Sequence, residues 1–163
     1  MRTMLLSVFA FFLTLSAASA GQLWTATGSS ATIDPAVIGI ATIGNSSVGY
    51  AASSSSTTPI TVRYNVTLDD TTAPTWSTLE ILANNANVAN GVFATLYGVN
   101  RSNGTVTLIA SVGSTASSST QAYTGAIGTS TTFDFTNNYY VVKATLSRSS
   151  SSAFPILQGV RLY

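Results

Sequence analysis

The sequence predicts an all-β chain, a single antiparallel β-sandwich of jelly-roll type with roughly eight or nine strands. Three observations predict it. Ser and Thr make up roughly three residues in ten, whereas Lys143 is the single lysine and Glu80 the single glutamate, so strand and turn formers outweigh charged helix formers. The run Ile60-Thr-Val-Arg-Tyr-Asn-Val-Thr-Leu68 alternates strictly, with Ile60, Val62, Tyr64, Val66 and Leu68 on one face, the pattern of a half-buried antiparallel strand. Turn signals punctuate further short apolar runs, and no period of roughly 20 to 50 residues recurs, which disfavours a solenoid or propeller.

The elements follow in chain order. Residues 1–20 carry an early Arg2, an apolar stretch from Met4 to Leu15 and Ala18-Ser19-Ala20, the pattern of a secretory signal peptide cut before Gly21. The apolar stretch is shorter than the roughly 18 to 20 residues of a spanning helix, and no cysteine is present to carry a lipid. The expected product is an exported chain, secreted or held at the cell surface, with residues 21–163 forming one domain. Ala31–Ile33 and Val37–Ile43 read as strands, as does Ile60–Leu68. Trp76–Leu82 reads as a strand, with one or two helical turns as the alternative for Thr78–Asn84. Val92–Asn100 and Thr105–Val112 form a hairpin around Arg101-Ser102-Asn103-Gly104, where Asn-Gly supplies left-handed backbone. Ser53–Thr58, Ser114–Thr120 and Ser147–Ser152 read as loops within the domain. Phe133–Leu146 reads as a second hairpin turning at Asn137-Asn138. That register sets Phe133, Phe135, Tyr140, Val142, Ala144 and Leu146 on the core face, with Asp134, Thr136, Tyr139, Val141 and Lys143 opposite. Ile156–Tyr163 closes the fold.

Charge narrows the partners. Without residues 1–20, Arg63, Arg101, Lys143, Arg148 and Arg161 face Asp34, Asp69, Asp70, Glu80 and Asp134, and the domain is formally neutral. Nucleic acid and anionic lipid need clustered cations, so neither is an expected partner. With no His and no Cys anywhere, His-based triads, thiol nucleophiles, zinc sites and haem or iron–sulfur ligation are absent from the repertoire, and no cofactor is expected. An acid–base pair of glycosidase type would have to come from the five carboxylates, four of which also have a structural reading: Asp34 before Pro35 suits a turn, Asp69-Asp70 ends a strand, and Asp134 can pair with Lys143. Asp69 and Asp70 are also the candidate oxygen ligands for a calcium ion. Sequons stand at Asn45, Asn65, Asn100 and Asn103.

The closing run Ile156-Leu-Gln-Gly-Val-Arg-Leu-Tyr163 resembles the last strand of galactose-binding-like jelly-roll modules, apolar, two polar residues, then Val-x-Leu. The resemblance implies a non-catalytic sugar-binding or surface-binding module on a sandwich. Where those modules often carry an acidic residue, this chain has Gln158 and Gly159, which removes a ligand from their calcium site. The expected function is therefore an exported, non-catalytic sandwich that binds, or forms part of, an extracellular surface or polysaccharide matrix. A neutral polysaccharide or surface polymer is the expected partner. Trp24, Trp76 and Tyr139 are its candidate aromatic platforms, because rings offer large contact area at small entropic cost. An eight-stranded outer-membrane barrel and a carboxylate-based secreted glycosidase are the alternatives, the barrel weakened by the scarcity of charge to fill its lumen.

Overall fold

The computed structural model describes residues 22–68, 72–85 and 91–163. Eleven strands lie among them: β1 Trp24–Thr27, β2 Thr32–Ile33, β3 Ala41–Ile43, β4 Val48–Tyr50, β5 Ile60–Val66, β6 Thr78–Asn85, β7 Gly91–Asn100, β8 Val106–Gly113, β9 Ser117–Ala126, β10 Asn138–Ser147 and β11 Ile156–Leu162. The leader assigned to residues 1–20 and the Asp69-Asp70 pair fall outside the described residues.

The strands form two antiparallel sheets. One runs β3-β4-β11-β6-β9, with β1 continuing along the edge of β11 that β4 begins; the other runs β2-β5-β10-β7-β8. Counted along the chain from β4 to β11, the sheets read first-eighth-third-sixth and second-seventh-fourth-fifth, the interleaving of two Greek keys that defines a jelly roll. The sheets are open, ending at β3 and β9 on one layer and at β2 and β8 on the other, so the barrel alternative is set aside. The strand count exceeds the expected eight or nine because β1, β4 and β9 are not among the strands expected from the sequence.

Alternation builds the core. On β5, Ile60, Val62, Tyr64 and Val66 are buried; on β10, Tyr140, Val142, Ala144 and Leu146; opposite them Leu79, Ile81 and Ala83 of β6 and Leu157, Val160 and Leu162 of β11. The β6 run is a strand, and its helical alternative is excluded. The layers meet closely where β8 passes β9: a Cβ on Gly125 would lie 2.1 Å from the Ser111 carbonyl oxygen, so that approach requires glycine. The β7–β8 hairpin forms as expected, with a refinement at its turn. Gly104 alone is left-handed, at φ 70°, while Asn103 holds the turn by accepting from the Thr105 N–H at 2.9 Å.

Three stretches depart from the sequence reading. Phe133–Asn137 does not pair with β10 as a hairpin arm. The Asp134 Oδ1 accepts from the N–H of Thr136 at 3.0 Å and of Asn137 at 3.1 Å, and its carbonyl accepts from Asn138 N–H at 3.0 Å. These local bonds wind a single tight turn that outcompetes a ladder. The face assignment survives the change of backbone: Phe133 and Tyr140 are buried and Phe135 packs on the core, while Tyr139 and Lys143 face solvent. Val37 belongs to a 3-10 turn, Pro35–Val37, capped by Asp34, whose Oδ1 accepts from Ala36 N–H at 3.2 Å; only Ala41–Ile43 of that run is strand. Ser117–Thr120, read as loop, opens β9, an edge strand whose mostly exposed Ser and Thr carry no apolar alternation to read.

Burial raises the phenol of Tyr64, which sits in the core with its hydroxyl donating to the Gly28 carbonyl at 3.3 Å, above the ordinary value of 10.0. It also raises Tyr50, against the opposing pull of Arg148. A phenol whose folded value is raised stabilises the fold fully below its unfolded value near 10, and that contribution is lost as pH climbs toward the folded value. Urea unfolding midpoints are therefore expected to hold level up to about pH 9 and to drop above about pH 10, with tyrosinate absorbance appearing together with unfolding. A midpoint that stays level through pH 11 contradicts this burial.

Candidate functional site

The outer face of the five-stranded sheet carries the candidate site. Because β10 buries its even-numbered side chains, its odd ones point outward, and the register carries them across the sheet. Tyr139 stands opposite Val99, which stands opposite Val106; Val141 stands opposite Tyr97, which stands opposite Leu108. Six apolar side chains thus form a two-by-three array over β10, β7 and β8, and Leu108 is 61% exposed. Tyr139, Val106 and Leu108 are exposed and Tyr97, Val99 and Val141 half-buried, which makes the array a candidate contact surface. One register further along the strands the face turns polar: Arg63 of β5 opposes Lys143, which opposes Thr95, which opposes Ser111.

At one end the array falls into a cleft of about 630 Å³ whose walls include Asn65, Leu68, Phe135, Asn138, Tyr139 and Val141. Tyr139 is 57% exposed there. The Arg101 guanidinium lies over its ring, 4.8 Å from the centroid, and donates through Nη1 to the Thr136 carbonyl at 3.0 Å. The β7–β8 turn and the Asp134 turn are joined at this point, since Arg101 N–H also donates to the Asn137 carbonyl at 2.9 Å. One ring face is therefore covered by the cation, and the rest of the ring stays exposed. A second cleft of about 450 Å³ opens between the edges of the two layers, lined by Trp24, Thr27, Thr32, Arg63, Tyr64 and Asn65 among others. Trp24 is half-buried beside it.

Of the three aromatic platforms expected from the sequence, Tyr139 and Trp24 line clefts and Trp76 does not. Trp76 is 3% exposed, stacked edge-on against Phe133 at 4.9 Å and Phe135 at 6.2 Å, and its indole N–H donates to the Gln22 carbonyl. It is a core residue and is closed to a ligand. Tyr97, Val99, Val106, Leu108 and Arg101 were not singled out by sequence. Alternation along Val92–Asn100 could have placed Tyr97 and Val99 on one face, but only the register shows that they meet Tyr139 and Val141.

The described carboxylates stand apart, each with its own partners. Asp34 pairs with Arg63 at 3.4 Å, and Glu80 with Arg161 at 3.3 Å and with the Tyr163 hydroxyl at 3.3 Å. Asp134 serves its own turn and not Lys143. The Asn137 side-chain amide, at 2.7 Å, leads the bonds that hold its carboxyl below the ordinary range. Among the described residues no group of three or more His, Cys, Asp or Glu gathers, and no helix is long and apolar enough to cross a membrane.

No protein family and no curated protein matches the sequence. Among solved structures, the chain is similar to a family two carbohydrate esterase from Cellvibrio japonicus, at TM-score 0.48 and 12% identity over 87% of this chain. It spans 33% of that enzyme's length. It is also similar to two modules of its own size. One is CsCBM6-3 from Clostridium stercorarium, in complex with cellobiose, at TM-score 0.40 and 14% identity over 88% of this chain and 87% of that one. The other is a family 11 carbohydrate-binding module from Clostridium thermocellum, in complex with a β-1,3-1,4-mixed-linked tetrasaccharide, at TM-score 0.42 and 11% identity over 91% of both chains. The jelly roll itself rests on the strand order given above.

Proposed function

We propose that the chain is an exported, non-catalytic carbohydrate-binding domain that attaches to, or forms part of, an extracellular polysaccharide or surface layer. The single observation that carries this reading is the Tyr139 cleft: an exposed ring held by Arg101, floored by Val99 and Val141 and rimmed by the amides of Asn65 and Asn138. A sugar presents an apolar C–H face and a rim of hydroxyls, and this cleft offers an aromatic and aliphatic floor with hydrogen-bonding groups beside it. The neutral domain and the separation of its described carboxylates favour contact over turnover.

Panels of immobilised cellulose, xylan, mannan, starch and β-1,3-glucan, read for retention and for new reducing ends, test it. Retention without release of sugar ends is expected, changing little between low and moderate salt because few charges take part. Tyr139→Ala is expected to weaken that retention about tenfold, or about 1.4 kcal/mol, with folding stability lowered by no more than about 1 kcal/mol. New reducing ends would make the domain an enzyme, and absence of retention on every polymer would leave a structural role.

A further inference from the structure

Resting on the carbohydrate reading above, we propose that the ligand is a linear chain of several sugar units lying across the strands, from Leu108 over Tyr97 and Val141 to Asn65 and on into the cleft at Trp24. The register places Leu108, Tyr97, Val141 and Asn65 directly opposite one another on β8, β7, β10 and β5, in one row perpendicular to the strands. Three inter-strand steps of about 4.8 Å give that row a length of about 14 Å, longer than a single sugar ring. Asn65 lines both clefts, so the row does not end at β5 but continues to Trp24, Thr27 and Thr32.

The two borders of the row differ. On one side stand Tyr139, Val99 and Val106; on the other Arg63, Lys143, Thr95 and Ser111. A chain lying in the row therefore meets apolar side chains along one border and, along the other, the exposed Arg63, Lys143 and Ser111, Thr95 being buried between them, which matches a polymer of rings edged by hydroxyls. The row itself carries no charge, in keeping with a neutral chain.

Calorimetric titration of the full domain with cello-, xylo-, manno-, malto- and laminari-oligosaccharides of one to six units tests the length. For the series whose polymer is retained, affinity is expected to rise at least tenfold between two and four units and then level off. Leu108→Ser, a change of an exposed side chain outside the Tyr139 cleft, is expected to weaken binding of the six-unit ligand about threefold or more while leaving the two-unit ligand unchanged, whereas Asn65→Ala, at the cleft rim, is expected to weaken both. Trp24→Ala is expected to behave like Leu108→Ser, with circular dichroism confirming its fold because Trp24 also packs against the core. Equal affinity for one-unit and six-unit ligands, or variants that leave the six-unit ligand untouched, overturns the extended track while sparing the carbohydrate reading. Failure of every polymer to be retained overturns both.

Discussion

Tyr140→Ala is expected to lower the unfolding free energy by about 3 to 5 kcal/mol, the range for truncating a large aromatic in a packed core. Its neighbour Tyr139→Ala is expected to cost about 0.5 to 1 kcal/mol, the worth of a cation–π contact at an exposed site. The contrast arises because adjacent strand residues point to opposite faces. Tyr140 is 4% exposed and lies 5.1 Å from the Phe133 ring and 4.7 Å from the Phe135 ring. Its hydroxyl oxygen accepts the Asp134 N–H at 2.8 Å, so the ring also pins the turn that starts β10. Tyr140→Phe separates the two contributions and should cost about 1 kcal/mol, one hydrogen bond's net worth. Urea unfolding of the three variants provides the measurement, and equal losses at positions 139 and 140 would show the register to be wrong.

Arg148→Met is expected to cost about 2 to 4 kcal/mol, since hydrogen bonds from a charged donor are worth about 1.5 to 3 each and do not add fully. Arg148 is 4% exposed and has no carboxylate partner among the described residues. Backbone oxygens take that place. Nε donates to the Ser56 carbonyl at 2.9 Å, Nη2 to Ser54 at 2.5 Å, and Nη1 to Ser151 at 3.2 Å and Ala153 at 3.3 Å. The guanidinium also lies 4.0 Å from the Tyr50 ring centroid. One side chain thus ties two Ser-rich loops, one before β5 and one before β11, to each other and to the core. Arg148→Lys should recover only part of the loss, because an ammonium cannot reach that fan of acceptors in one plane. Hydrogen exchange should locate the damage in residues 53–58 and 149–155. A lysine variant as stable as the original would show that charge alone matters there.

The strands that the sequence disclosed are those with one wet face. Ile60–Val66 and Asn138–Ser147 alternate because each has a core side and a solvent side, and period-two reading found both. Val48–Tyr50 is buried throughout and only three residues long, and β9 is almost wholly exposed, so neither alternates clearly. The Asp134 turn was misread because asparagines at 137 and 138 suit a primed hairpin, while the aspartate that captures the backbone stands three residues earlier. Tyr139 was legible as an outward ring from alternation alone. Its partners were not, because Val99, Tyr97 and Leu108 reach it through pairings between segments distant in sequence, which composition does not encode. Trp76 shows the converse: an aromatic beside polar residues looks like a platform until Phe133 and Phe135 are seen to enclose it.

The pairing of β1 with β11 decides how the domain bears mechanical load. The two strands run antiparallel with Trp24 opposite Leu162, so both ends of the folded unit leave from the same corner. A pull that separates those ends strains the β1–β11 ladder one rung at a time, as a zipper opens, instead of shearing all its hydrogen bonds together. The first force-bearing event is then the peeling of β1 from the layer edge, with the interleaved eight-stranded body still intact. Tension along the chain would uncover the side of the cleft that Trp24 lines before it disturbed the face that carries Tyr139.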